Sequence, residues 1–388
     1  MNVKHKLSVL LSAVALLTAC HHQPGNQTLS GLKFQDFDTV INQKPVRLYT
    51  LTNRQGMEVC ITNYGGRIAS IMVPDRQGNL QDVVLGYDCI DRYADIEGAP
   101  SDFGAAIGRY ANRINQGRIT VGDSTIQLPQ NNYGHCLHGG PTGWQYQVYD
   151  AEQKDSSTLV LTMHSPDGDN KFPGNVTATV TYTLTGQNEI DIRYEATTDR
   201  ETVINMTNHS YFNLNGEPSR SATDMVLYIN ADHFTPTDTT YMPTGEVRPV
   251  EGTKMDFRNP TSLSGLAEWD YDQIRNAGNG LDHNWCLNTY KDGRGDDTQV
   301  AAGLLSPKTG ILLEVLTDEP GIQVYSGNFL GTNNVAGKNG IVYPKQAAVC
   351  LETQHYPDSP NHPEWPSPWL RPGETYKSHC IYRFSVVK

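Results

Sequence analysis

Between residues 176 and 196 apolar and polar positions alternate. Val176, Ala178, Val180, Tyr182 and Leu184 are separated by Thr177, Thr179, Thr181 and Thr183, and after a polar break at 185–188 the pattern resumes with Ile190, Ile192, Tyr194 and Ala196. A period of two puts successive side chains on opposite faces of a strand, so the segment predicts two strands joined by a turn. Similar runs occur at 158–163, 226–231, 310–316, 322–325, 347–353 and 381–387. Beyond the first twenty residues no fifteen-residue stretch has a helical apolar stripe, and short helical turns are expected only near 90–96 and 262–269. Many short strands without alternating helices predict an all-β chain whose antiparallel sheets pack as a large sandwich or barrel.

The N-terminus follows another rule. Lys4 and Lys6 precede an eleven-residue, mainly apolar run at 7–17, and Leu17-Thr18-Ala19-Cys20 follows at once. This is the build of a secretory signal peptide, shorter than the roughly 20 residues that span a bilayer. Its end resembles the bacterial lipobox, in which the Cys is lipidated and becomes the new N-terminus. The alternatives are an ordinary signal peptide cleaved nearby or a start codon placed too early. The expected organisation is a signal peptide at 1–19, lipidated Cys20 with a polar leash at 20–32, and a single domain at 33–388. Such a protein would be a monomeric lipoprotein of the bacterial cell envelope, touching the membrane only through its lipid. The lack of an acidic run after Cys20 points to the periplasmic side.

Composition narrows the function. Thirty Lys and Arg against 42 Asp and Glu give a formal charge of −12, opposite to what displaces counterions from nucleic acid. Charged residues are 19% of the chain, below the roughly 25% of an ordinary globular protein, while 35 Gly and 22 Pro mark frequent turns. Besides Cys20 there are six scattered cysteines and no C-x-x-C pair. Structural zinc is therefore poorly supported, and buried free thiols are expected rather than bridges.

Four stretches could carry chemistry. In 203–214, read as a strand, Ile204 and Met206 face one way and Asn205, Thr207 and His209 the other, which makes His209 either a substrate-facing group or a hydrogen-bonded structural one. In 347–357, Val349 and Leu351 share a face and Glu352 stands opposite. It is either a shielded general base with a raised pKa or an edge-strand carboxylate in solvent. The third stretch, 108–114 with 136–140, supplies Arg109, Asn112 and Arg113 as fixed donors, and Gly139-Gly140 for close backbone approach to a ligand. It also contains His135 and His138 as H-x-x-H, without a third metal ligand at convincing spacing. The fourth, 280–285, places Asp282 and His283 beside Trp285 and is weak alone.

Taken together, GRYANRI, LHGG, SPDGDNKFPGNVTATVTYTL, TNHSYFNL, LDHNW, PGIQVYSGNFLGT and CLETQHYPD resemble, in the same order, the aldose 1-epimerase (galactose mutarotase) family from about residue 33 onward. The resemblance implies a large antiparallel β-sandwich acting on small aldose sugars, with Glu352 as general base and His209 as general acid. It implies substrate-binding roles for Arg113, His138, Asp282 and Gln323, with Asn112 as a neighbour, and no required cofactor or metal. The other readings are a glycosidase, a sugar-binding protein without activity, and an epimerase of hexose 6-phosphates, which would need a further basic cluster.

Overall fold

The computed structural model describes residues 25–217, 221–332 and 334–388; the predicted signal peptide and Cys20 lie outside them. Among the described residues the longest α-helices are the five-residue turns Ile90–Ala94 and Asp272–Asn276. Among the described residues no helix is long and apolar enough to cross a membrane. Of the two expected helical turns, the first is Ile90–Ala94. The second contracts to a 3-10 turn at Leu266–Glu268, because Thr261–Ser262 pairs as a sheet edge.

Nine antiparallel strands form the largest sheet, in the order Asp150–Gln153, Thr158–Ser165, Val176–Leu184, Glu189–Thr198, Tyr376–Val386, Ile311–Thr317, Val300–Leu305, Val226–Ile229 and Thr261–Ser262. The alternation in the sequence is the alternation of burial: Val176, Ala178, Val180, Tyr182 and Leu184 are buried, and Ile190, Ile192, Tyr194 and Ala196 pack beside them on the neighbouring strand. This face meets two smaller sheets. One has four strands, Leu48–Thr52 to Leu80–Asp82; the other has six, in the order Tyr211–Phe212, Val349–Gln354, Gly321–Tyr325, Asp282–Cys286, His233–Thr235 and Arg248–Pro249. A single apolar cluster draws on all three, with Val59 and Ile71, Val180 and Ile192, and Ile322 and Leu351. Two tyrosines tie the layers where a polar tip would otherwise be stranded. Tyr182 donates to the Gly66 carbonyl (2.8 Å) and Tyr382 to the Leu351 carbonyl (2.9 Å).

The six-stranded sheet positions the site. Its inner face carries Val349, Leu351, Ile322, Val324, Trp285 and Phe234 into the core. By the period of two its other face carries Cys350, Glu352 and Gln354, with Gln323 opposite Glu352 and Asn284 opposite Gln323. All are buried, because loops from elsewhere cover this polar face. One cover, the chain at 334–346, is pinned by Lys338, a buried residue whose side chain donates to Asp82 Oδ2 (2.6 Å), the Val84 carbonyl (2.7 Å) and the Ala69 carbonyl (3.0 Å). All three ammonium protons are used, as a buried cation requires.

Residues just before 33 also touch the domain: Leu32 is buried in a second apolar cluster, and the Leu29 N–H donates to Glu58 Oε1 (2.7 Å). The six cysteines Cys60, Cys89, Cys136, Cys286, Cys350 and Cys380 are free, four of them buried.

Candidate active site

Glu352 lies in a strand with partners on both sides, Gly321–Tyr325 and Tyr211–Phe212, and is 1% exposed. The solvent-edge reading is thereby removed. Burial pushes its carboxyl well above the usual range, neighbouring Asp282 and Asp102 push it further, and Arg113 opposes them. His209 is brought to it by the short strand Thr207–His209, which pairs with Ala105–Ile107 so that His209 stands opposite Ala105. Its ring stacks on Tyr211 (5.0 Å, 13°), and its Nε2 lies 3.6 Å from Glu352 Oε2. Burial lowers the pKa of His209, while Asp102 and Asp282 act against that. Both members of the pair are thus buried, and burial penalises the charge on each.

Asn112, Arg113 and His138 come from two chain segments that interlock. Asn112 and His138 both have left-handed backbones (φ +62° and +50°), an uncommon conformation that persists only where surroundings enforce it. Here each residue holds the other. The Asn112 N–H donates to His138 Nδ1 (3.0 Å), the His138 N–H to the Asn112 carbonyl (3.1 Å), and the Arg113 N–H to Asn112 Oδ1 (2.9 Å). Because His138 Nδ1 accepts, its proton is on Nε2. Burial drives the ring's pKa down to about 3, so His138 is a neutral donor at physiological pH. Arg113 donates through Nε to Asn132 Oδ1 (3.1 Å) and lies 5.2 Å over the Tyr241 ring.

These groups wall one cleft of about 430 Å³, together with Asp282, Asp102 and the rings of Tyr211 and Tyr325. Gln323, to which the resemblance gives a sugar-binding role, lies beside Asp282, donating Nε2–H to Asp282 Oδ1 (2.7 Å), and so fixes that carboxylate in place. Arg109, expected as a ligand donor, is buried and donates to Ser165 Oγ (2.6 Å) and the Pro173 carbonyl (2.7 Å). The Gly-Gly of LHGG also serves packing rather than ligand approach, since a Cβ on Gly139 would stand 2.3 Å from the Gly108 carbonyl oxygen. Sequence reading missed Asp102 and Tyr211. Asp102 sits in an irregular polar stretch without period, and Tyr211 alternates as a core residue would.

Among the described residues two groupings have metal-ligand chemistry, Asp102 with His138 and His209, and His209 with Cys350 and Glu352. In the first, His138 Nε2 carries the proton and has no lone pair to offer; in the second, burial pushes the Cys350 thiol well up.

A polar, aromatic-walled cleft with a carboxyl–imidazole pair at its floor, set on one face of an antiparallel β-sandwich, defines a carbohydrate-directed acid–base enzyme. Residues 47–383 match the family model described as aldose 1-epimerase, and the chain belongs to that family. It is 42% identical to galactose mutarotase of Mus musculus over 331 residues, covering 85% of this chain and 92% of the mouse protein. It is 38% identical to aldose 1-epimerase of Escherichia coli K12 over 345 residues, covering 88% and 96%. Among solved structures, an aldose epimerase homologue from C. elegans superposes with a TM-score of 0.79 at 29% identity, covering 88% of this chain and 99% of that one. Galactose 1-epimerase from Lactobacillus acidophilus gives 0.76 at 29% identity, covering 90% and 97%.

Proposed function

We propose that the protein interconverts the α and β anomers of free hexoses such as glucose and galactose, with Glu352 and His209 as the proton-transfer pair. The observation that carries this is the 3.6 Å between His209 Nε2 and Glu352 Oε2. Ring opening removes a proton from O1 and delivers one to O5, two oxygens on the same carbon, so acid and base must be close neighbours. Glu352 as carboxylate takes the O1 proton and the imidazolium of His209 protonates O5; the aldehyde turns about C1–C2, and closure returns both protons. The two states of the pair, carboxylate with imidazolium and carboxylic acid with imidazole, hold the same number of protons. One accompanies the closed ring and the other the open chain, and burial that penalises both charges brings them toward equal energy. No electron or group leaves the sugar, so the reaction calls for neither nicotinamide nor metal.

Arg113, His138 and Asp282 line the cleft as fixed donors and an acceptor for hydroxyls, supplying the alignment both transfers need. Arg113 is the only Lys or Arg among the described residues walling the cleft, which favours a neutral aldose over a hexose 6-phosphate. Polarimetry of freshly dissolved α-D-glucose and α-D-galactose should show relaxation accelerated in proportion to protein. Relaxation at the buffer rate removes the proposal, and release of phenol from aryl glycosides would replace it with a glycosidase.

We infer from the lipobox-like Leu17-Thr18-Ala19-Cys20 that the enzyme is lipidated on Cys20 and held at the periplasmic face of the cell envelope. Cys20→Ser should move it from the membrane to the soluble fraction; unchanged fractionation overturns the anchor.

A further inference from the structure

The geometry points to Asp102 as a third carboxylate of the sugar site, accepting a hydroxyl of the aldose and setting its negative charge beside the imidazolium of His209. This rests on the mutarotase reading above.

Asp102 is placed by its surroundings. Arg67, itself fully buried, grips the backbone on both sides, with Nη1 donating to the Phe103 carbonyl (3.0 Å) and Nη2 to the Ser101 carbonyl (3.0 Å) and the Gln145 carbonyl (2.8 Å). The Asp102 carbonyl accepts from the Ala105 N–H (3.0 Å), which leads directly into the strand paired with His209. The carboxylate is thus delivered to the cleft on a braced turn. Its Oδ1 is shielded from solvent and finds no hydrogen-bond partner among the described residues. A carboxylate oxygen withdrawn from water without a donor is costly unless a bound group supplies one.

The atoms around it indicate what that group is. A carboxylate oxygen of Asp102 and one ring nitrogen each of His138 and His209 lie within 4.8 Å of one another. His138 Nδ1 is occupied by the Asn112 N–H (3.0 Å), so its other nitrogen presents N–H to the cleft. An acceptor and a donor bordering one small space suit a hydroxyl, which donates to Asp102 while accepting from His138. Arg113, the cation in the cleft wall, is turned to Asn132 and the Tyr241 ring.

His209 is faced by Asp102, Asp282, Glu352, His138, Tyr211 and Arg67. Burial lowers its pKa, and of the groups that raise it Asp102 acts most strongly. The sign follows. His209 must be protonated to act on O5, so activity falls as pH rises through its pKa, and loss of the Asp102 charge moves that fall to lower pH.

The test is Asp102→Asn, which keeps shape and removes charge, assayed by polarimetry after thermal melting has shown the wild-type transition. A fall in kcat/KM of about tenfold to a hundredfold is expected, with the alkaline limb displaced to lower pH. Singly deoxygenated hexoses then identify the hydroxyl. One position should weaken the wild type strongly and the variant hardly at all. If wild-type rates are accelerated but the variant keeps the same limb and the same ranking of deoxy sugars, Asp102 has no such role. If the wild type itself is inactive, the underlying reading fails instead.

Discussion

Glu352→Gln is expected to lower kcat for mutarotation by about 10²- to 10⁴-fold, with sugar binding nearly unchanged. The amide keeps the volume of the carboxyl and fills the same place on the strand opposite Gln323, but it cannot take the O1 proton. The variant should also be no less stable than the wild type, which separates lost chemistry from lost folding. Burial first, then Asp282 and Asp102, hold the Glu352 pKa well above its unfolded value. A carboxyl raised in the folded state favours folding fully below the unfolded pKa, and that contribution is lost as pH rises through the folded pKa. Near neutral pH the glutamine avoids any cost of a buried negative charge, so the melting temperature should hold or rise. Polarimetry, calorimetric binding of galactose and a melt at two pH values check the three parts. A rate near wild type would move the base to another residue, and lost binding with kcat retained would make Glu352 a binding group only.

The strands that build the large sheet were legible because a half-buried strand must alternate: 176–184 and 190–196 carry their burial in their spelling. The order of the strands was not. Tyr376–Val386 lies between Glu189–Thr198 and Ile311–Thr317, a neighbourhood decided by packing across distant parts of the chain. Its first residues, including Lys377, Ser378 and His379, lack the apolar period and concealed its true start at Tyr376. At the site, the motif spacings single out Glu352 and His209 as chemical groups, and both readings of each stay open until the sheet shows that loops bury the polar face. Gln323 illustrates the remaining limit. Its residue type is that of a ligand donor, and only the structure reveals that one of its N–H groups goes to the Asp282 carboxylate. Asp102 carries no local signal at all, because its importance comes from Arg67, thirty-five positions away, fixing the turn.

His209→Asn should reduce kcat by a similar factor of about 10²–10⁴, and combining it with Glu352→Gln should cost little more than either change alone. The reason lies in the burial of the pair. If Glu352 removes the O1 proton while nothing protonates O5, ring opening leaves an alkoxide in a cleft whose nearby carboxylates, Asp102 and Asp282, repel it. If His209 acts while O1 keeps its proton, the aldehyde forms as its protonated cation. Each transfer therefore needs the other, and residues that act as a unit are strongly non-additive. The ring is held for this task by its stack on Tyr211 and its 3.6 Å approach to Glu352, so an asparagine, shorter and never cationic, keeps polarity but supplies neither proton nor reach. Single and double variants compared by polarimetry at saturating galactose should give kcat values within about tenfold of each other. Losses that multiply would show acid and base acting in separate steps, which the shared carbon of O1 and O5 and the contact between the two side chains argue against.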